Sequence, residues 1–341
     1  MKKPYFNGPA LSFDDILLIP QHSDIKSRLD VDISTQLTAN IKLDIPILST
    51  NMSTITEYDM MAAMFKAGGA GCLHRFMDID DMCYNLKRAA CGEVYPKIAS
   101  VGVKDEDKAN IEAFLELDKY KPDVILVDIA HGDSNYVVEM VKWLKQFPFE
   151  VIGGNVSTWD SYLRLYDAGC DAVRAGIGGG SCCTTRLITG HGVPTLTSVI
   201  NIASGEKPVP LIADGGFKRS GDIVKALAFG ADCVCLGGML AATSATPGLI
   251  IDSPSGKFKE VYGMSSRTAQ ERHKGGLKRG IAEEGIDMLI PYKGDTGEYL
   301  EKVVGGIKSG LSYSGARNIQ ELRENFEYMI LSSGSMKESK F

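Results

Sequence analysis

Three glycines, a serine, two adjacent cysteines and two threonines stand in one row, "GGGSCCTTR", Gly178 to Arg186. A cysteine thiolate is a strong nucleophile. Loop amides, and the N-terminus of any helix beginning near the threonines, would lower its pKa. A vicinal disulfide is strained and rare. A metal site would need further ligands, and His191 is the only obvious candidate nearby. Taken alone, a cysteine in a glycine loop is more often structural than catalytic, so Cys182 and Cys183 must be weighed separately.

Two further motifs carry glycine pairs, "ADGG" ending at Gly216 and "LGGM" around Gly237 and Gly238. Backbone N–H groups freed by glycines can approach an anion such as phosphate, and Ser181 would add a hydroxyl donor. The plainer reading, glycines that only turn the chain, weakens when two such pairs accompany a third glycine loop. For Asp214 two readings stand equal. Its carboxylate accepts from two ribose hydroxyls, or it caps the following turn.

Eight apolar, β-branched runs would have to position these residues. They begin at Pro46, Ala70, Lys97, Asp123, Glu150, Asp171, Pro210 and Cys233. Between them lie amphipathic stretches such as "EYDMMAAMFKAGG" and "GDIVKALAFGAD", where Gly68 and Gly230 suit helix C-caps. Apolar strands alternating with helices imply a parallel sheet covered on both faces, and eight of them imply an α/β fold of the (β/α)8 TIM-barrel type. An open doubly wound sheet is the alternative. The interval from Asp171 to Pro210 is the long one, and it holds the cysteine loop. Loops after the strands build the active site in such barrels. A second excess follows strand eight, with a hairpin expected around "DSPSGK" and a last helix at "YLEKVVGGIKSG". The segment Met1 to Ile45 is expected to cap the barrel or cross its face. Residues 1–341 read as one domain.

The 341 residues carry 44% apolar and 23% charged side chains, enough for a large core. A formal charge of -6 argues against a general nucleic-acid or membrane-surface binder. No apolar run reaches membrane-span length, and Asp14 and Asp15 interrupt the first one, so no signal peptide is expected. The eight cysteines lie scattered in apolar runs with no C-x-x-C pair. Most read as buried thiols in a reducing cytoplasm.

Together these motifs resemble the IMP dehydrogenase / GMP reductase family over nearly the whole chain, from "LSFDDILLIP" to "ARNIQELREN". The family signature G-x-G-x-G-S-x-C-x-T-R reads "GIGGGSCCTTR" here, Gly176 to Arg186, and puts the nucleophile at Cys183. "IADGG", "LGGM" and "YGM" match as well. The resemblance implies thiolate attack on purine C2. A dehydrogenase passes hydride from IMP to NAD and then hydrolyses the intermediate. A reductase expels ammonia from GMP and takes hydride from NADPH.

Three features resemble the reductase branch. No CBS modules interrupt "LHRFMDIDDM" after strand two. The interval Arg267 to Glu283 is short and holds no Arg-Tyr pair, and "YGMSS" stands with "HKGG". By resemblance Thr185 and Glu284 form the acid/base pair. Ser181, Gly215, Gly216, Gly237, Gly238, Gly263 and Ser265 hold phosphate, Asp214 holds ribose, and Met264 and Gly285 line the base. Carbonyls of Gly178, Gly180, Cys183 and Arg186 would bind potassium. Ser27, Arg28, Arg75, Asp128, Ala130, Ser309, Gly310 and Ser312 would contact the dinucleotide, partly from a neighbour in a homotetramer. The chain also departs from the reductase pattern. Gly280 and Ile281 stand where Tyr-Arg is usual, with Lys278 and Arg279 as nearby substitutes, and "HRF" (His74 to Phe76) replaces "HKH". "DIAHGDS" and "ADGGFKRSGDIVKAL" are closer to the dehydrogenase form.

Overall fold

A computed structural model describes residues 8–276 and 279–338 of the chain. Eight parallel strands close into a barrel: β1 Ile47–Ser49, β2 Ala70–Leu73, β3 Ile98–Val101, β4 Val124–Asp128, β5 Glu150–Val156, β6 Ala172–Ala175, β7 Leu211–Asp214 and β8 Cys233–Leu236. Each pairs with its sequence neighbours. The ring closes where Val234, Cys235 and Leu236 of β8 pair with Ile47, Leu48 and Ser49 of β1. All eight expected runs therefore form strands of a (β/α)8 barrel.

The apolar content of these strands follows from burial on both faces. Outward side chains such as Val151, Val173 and Leu211 pack under the helices. Inward ones, including Leu48, Cys72, Ile98, Leu126, Ile152 and Ile212, fill the barrel. Gly68 and Gly230 adopt positive φ (86° and 108°) just past the helices Tyr58–Lys66 and Ser220–Ala228, as expected of helix-ending glycines.

The N-terminal segment does two things. A small hairpin, Thr35–Gln36 with Lys42–Leu43, inserts Leu37, Ile41 and Leu43 into the barrel's inner core. It closes the end where the strands start, because Thr35 Oγ1 donates to Asp232 O just before β8. The strand Ile16–Ile19 instead pairs antiparallel with Glu327–Ile330 near the other end of the sequence. That pairing is invisible to local pattern, since each strand is too short to mark its partner.

The excess after β8 folds into a three-stranded antiparallel sheet. Ile251–Ser253 and Gly256–Tyr262 form the expected hairpin, and Asp287–Pro291 joins as a third strand. The helix Arg267–Lys274 leads from the second strand toward the third. The last expected helix spans Thr296–Tyr313. No helix among the described residues is long and apolar enough to cross a membrane.

Candidate active site

The loop after β6 holds Cys182 and Cys183, and the short helix Thr185–Thr189 follows directly. The two sulfurs have different surroundings. Cys182 is buried, with its Sγ 3.8 Å from Met288 Sδ, and burial pushes its thiol pKa up. An inert apolar role is the physical consequence. Cys183 is partly exposed, and its Sγ lies 3.2 Å from Thr185 Oγ1. That hydroxyl in turn donates to Glu284 Oε2 at 2.7 Å. A sulfur, a hydroxyl and a carboxylate thus form one hydrogen-bonded chain. All eight cysteines are free.

Backbone pairing brings Glu284 here from about a hundred residues away. Cys183 and Gly285 form an isolated antiparallel bridge. Thr184 N–H donates to Glu284 O at 3.1 Å, and Ile286 N–H donates to Cys182 O at 3.0 Å. Glu284 N–H reaches Ser265 O at 3.1 Å, and Gly263 N–H reaches Ile286 O at 3.1 Å. Three segments are laced at one crossing. A Cβ on Gly263 would sit 2.8 Å from Cys182 O, and Gly263 and Gly285 would each place a Cβ 3.1 Å from the other's Cα. Only glycine allows that approach.

One cavity of about 400 Å3 opens at the C-terminal end of the barrel. Its wall includes Cys183, Thr185 and Glu284, together with Ser181, Asp214, Gly215, Gly216, Gly237, Gly238, Gly263, Met264 and Ser265. Gly178, Gly180, Arg75, Asp128 and Ala130 also line it. These positions come from several separate stretches of sequence, and the barrel brings them to one mouth.

Other expected positions lie elsewhere. Gly285 supports the wall through the bridge but does not line the cavity. Arg186 lies outside the lining, with its guanidinium donating to Val193 O at 2.9 Å. Ser27 caps the turn Arg28–Asp30, which packs beside the helix Thr296–Tyr313 carrying Ser309, Gly310 and Ser312. That group gathers together outside the cavity lining. A Cβ on Gly310 would come 2.5 Å from Val224, so close helix packing already accounts for its glycine. Gly280 has φ 87° and Ile281 is exposed, with no charge at either position. Lys278 lies outside the described residues.

Sequence reasoning missed the polar centre of the cavity. Arg174, on β6, is buried; its Nη2 donates to Asp128 Oδ1 at 2.6 Å and its Nη1 to Asn51 Oδ1 at 2.7 Å. Its Nε stands 3.7 Å from Asp214 Oδ2, which also accepts from Asn155 Nδ2 at 2.7 Å. Burial works against the Arg174 charge, but Asp214 and Asp128 outweigh it and raise its pKa. Burial alone would raise the Asp128 carboxyl; the Arg174 and Arg75 guanidiniums prevail and hold it below the usual range. The signal was present in "DAVRAGI". An arginine inside an otherwise apolar strand must find acids. Asp214 is therefore held from one side by Asn155 and Arg174 while it lines the cavity.

Behind the glycine pair of β8, Lys293 Nζ donates to Gly238 O and Met239 O, each at 2.8 Å. Burial lowers its pKa to about 8. No cluster of three or more His, Cys, Asp or Glu side chains suited to a metal occurs among the described residues. Neutral backbone carbonyls of the loop after β6 are instead the donor type that suits a hard, oxygen-seeking cation.

A family model described as IMP dehydrogenase / GMP reductase domain matches residues 10–341. The chain belongs to this family. An IMP dehydrogenase from Borreliella burgdorferi is 33% identical over 97% of this chain and 96% of the relative. A GMP reductase from Leishmania major is 30% identical, covering 97% and 96%. A crystal structure of a GMP reductase variant from Trypanosoma brucei, in complex with guanosine 5'-monophosphate, superposes with TM-score 0.89 at 28% identity. It covers 98% of this chain and 99% of that one. Relatives from both branches of the IMP dehydrogenase / GMP reductase family thus match over nearly their whole lengths. The alignment with the Leishmania reductase runs over 475 positions, so that relative holds a long stretch this chain lacks. Absence of an insertion therefore separates neither branch. Membership makes the chain an oxidoreductase that acts on purine nucleotides with a nicotinamide cofactor.

Proposed function

We propose that this family member is a GMP reductase, converting GMP to IMP and ammonia with NADPH. The observation that carries the reading is the chain Cys183 Sγ–Thr185 Oγ1–Glu284 Oε2, at 3.2 and 2.7 Å. Amino groups leave poorly unless protonated, and a hydroxyl alone is too weak an acid. A carboxyl reaching the nucleophile through one hydroxyl meets that demand. A dehydrogenase needs a base that activates water, and the Arg-Tyr pair used for it is absent from Arg267 to Glu283.

In this mechanism Cys183 Sγ adds to C2 of the purine. The C2 amino group takes a proton relayed from Glu284 through Thr185 and leaves as ammonia. The product is a thioimidate on Cys183. Bound NADPH would supply hydride chemistry at C2; breakage of the C2–sulfur bond then releases IMP and the Cys183 thiolate. Asp214 orients the ribose, and Ser181 with the glycine pairs receives the phosphate. Arg75 and Asp128, with Ala130 in the same lining, would give the cofactor a largely polar wall. Ser27, Arg28 and the Ser309–Ser312 segment, outside this cavity, would serve a neighbouring subunit's cofactor in a homotetramer. A potassium ion on the loop carbonyls and a cytoplasmic setting complete the reading.

A second reading is IMP dehydrogenase without CBS modules, favoured by "ADGGFKRSGDIVKAL" and by the Borreliella relative. A third is a catalytically weak nucleotide-binding regulator, which the intact relay disfavours. Purified protein is mixed with GMP and NADPH, or with IMP and NAD, and followed at the nicotinamide absorbance. NADPH loss with ammonia release is expected. NADH formation from IMP overturns the reductase reading. Silence in both, with nucleotide binding intact, overturns both enzymes.

A further inference from the structure

Among the described residues, three with cationic side chains line the cavity: Arg75, Arg174 and Lys218. Arg174 is committed to Asp128, Asn51 and Asp214, and Arg75 lies 3.5 Å from Asp128. Both belong to the acidic side of the site. Lys218 stands apart from them. It follows Gly215, Gly216 and Phe217 directly, at the glycine end where the neutral donors gather. Lys293 cannot serve this end from within the cavity. It is turned to the carbonyls behind the glycine pair and does not line the wall.

The Lys218 backbone is fixed and its charge is lightly held. Its N–H donates to Asp222 Oδ2 at 2.9 Å, which anchors the main chain to the start of the helix Ser220–Ala228. Its Nζ pairs with Asp14 Oδ2 at 2.5 Å, with side-chain exposures of 62% and 53%. Exposed pairs of this kind contribute little to stability, because water screens both charges. Asp14 itself is held at the lip. Its neighbour Phe13 stacks on Phe217 at 4.8 Å, and Lys225 Nζ donates to Phe13 O at 2.7 Å. A phosphate monoester seated on Ser181 and backbone amides carries up to two negative charges, which those neutral donors leave unmatched.

We infer that Lys218 exchanges Asp14 for the 5'-phosphate of the bound nucleotide, so that Asp14 is a built-in competitor tuning affinity for the phosphorylated substrate. The inference rests on the nucleotide reading above for the identity of its ligand. It makes Lys218 a specificity residue for phosphate, and it gives the two members of one ion pair opposite effects. A merely structural pair would give them the same effect.

Calorimetric titration of the full chain with GMP, guanosine and ribose 5-phosphate tests this. Lys218→Gln should weaken GMP about tenfold to a hundredfold, as loss of one charge-assisted hydrogen bond does, with guanosine unchanged. Asp14→Asn should tighten GMP several-fold, and it should do nothing in the Lys218→Gln background. Circular dichroism melts confirm that each variant is folded. The inference is overturned if Asp14→Asn weakens GMP alongside Lys218→Gln, or if Lys218→Gln leaves GMP untouched or weakens guanosine equally. If wild type binds ribose 5-phosphate but no purine nucleotide, opposed effects on ribose 5-phosphate support the exchange while the functional reading fails. If it binds neither phosphate compound, both fail.

Discussion

Cys183 and Gly285 face each other as a single antiparallel bridge. The bridge sets how far the Cys183 sulfur stands from the carboxyl of Glu284, the residue before Gly285. Chemistry at this site therefore depends on main-chain register as much as on side-chain identity.

The two cysteines should separate cleanly. Cys183→Ala should cut kcat by at least about 10^3-fold, because the buried Cys182 thiol, held against Met288, cannot take the place of the partly exposed Cys183. Cys182→Ala should keep kcat within a few-fold and cost about 1–2 kcal/mol of stability, as truncation of a buried side chain does. Steady-state rates with thermal melts check both. If Cys182→Ala is the inactive variant, the assignment is reversed.

Glu284→Gln and Thr185→Val should each lower kcat by about 10^2- to 10^4-fold with nucleotide affinity nearly unchanged. Their effects should not add, because in the proposed relay one proton passes through both hydrogen-bonded groups. Additive losses in the double variant would show that the two act separately.

Gly263→Ala should act at a distance. Its new methyl would press on Cys182 O and on Gly285, widening the crossing that carries Glu284. A shift of about 1 Å there is enough for a loss near 10^2-fold. The Kd for GMP should change much less than kcat. Equal damage to both would place the effect on overall folding instead.

Arg174→Met should destabilise the fold by about 3–5 kcal/mol, because it leaves Asp214 without its cation and Asp128 with Arg75 alone. Arg174→Lys should recover only part, since an ammonium cannot reach Asn51, Asp128 and Asp214 together. Urea denaturation measures this. A melting profile like wild type for the methionine variant would refute the role.

Lys293 gives a pH signature with a definite sign. Its folded pKa, about 8, lies below the usual lysine value of 10.5. Between those values the unfolded chain binds the extra proton, so this group's contribution to stability rises with pH and levels off above the unfolded value. Buried thiols such as Cys170 push the other way at alkaline pH, because their folded pKa values are raised. The test is thus the difference between wild type and Lys293→Met across pH 7 to 10. That difference should shift in favour of wild type as pH rises. A constant difference would mean the amine stays charged.

The barrel was legible because its strands are apolar on both faces and each is followed by an amphipathic helix. The long interval after Asp171 pointed to the site for the same reason: extra residues there have no packing task. The Cys183–Thr185 spacing is local and readable, whereas Glu284 needed a family resemblance, since nothing in "AEEGID" separates it from Glu283 by chemistry alone. The ion network around Arg174 was missed because its partners come from separate stretches, Asn51 from the loop after one strand and Asp128 and Asp214 from two others. Ser27 and Ser309 lie outside the cavity lining, on a turn and a helix that pack together.

The pairing of Ile16–Ile19 with Glu327–Ile330 joins segments separated by about three hundred residues. Loop-closure entropy makes such a contact slow to form, and a chain emerging from the ribosome delivers its partner last. The first strand must therefore wait, unpaired and apolar, through most of synthesis. Nascent chains stalled before residue 327 should present the unpaired backbone edge of Ile16–Ile19 to chaperones and proteases, and pairing with the final strand should close that edge in one step.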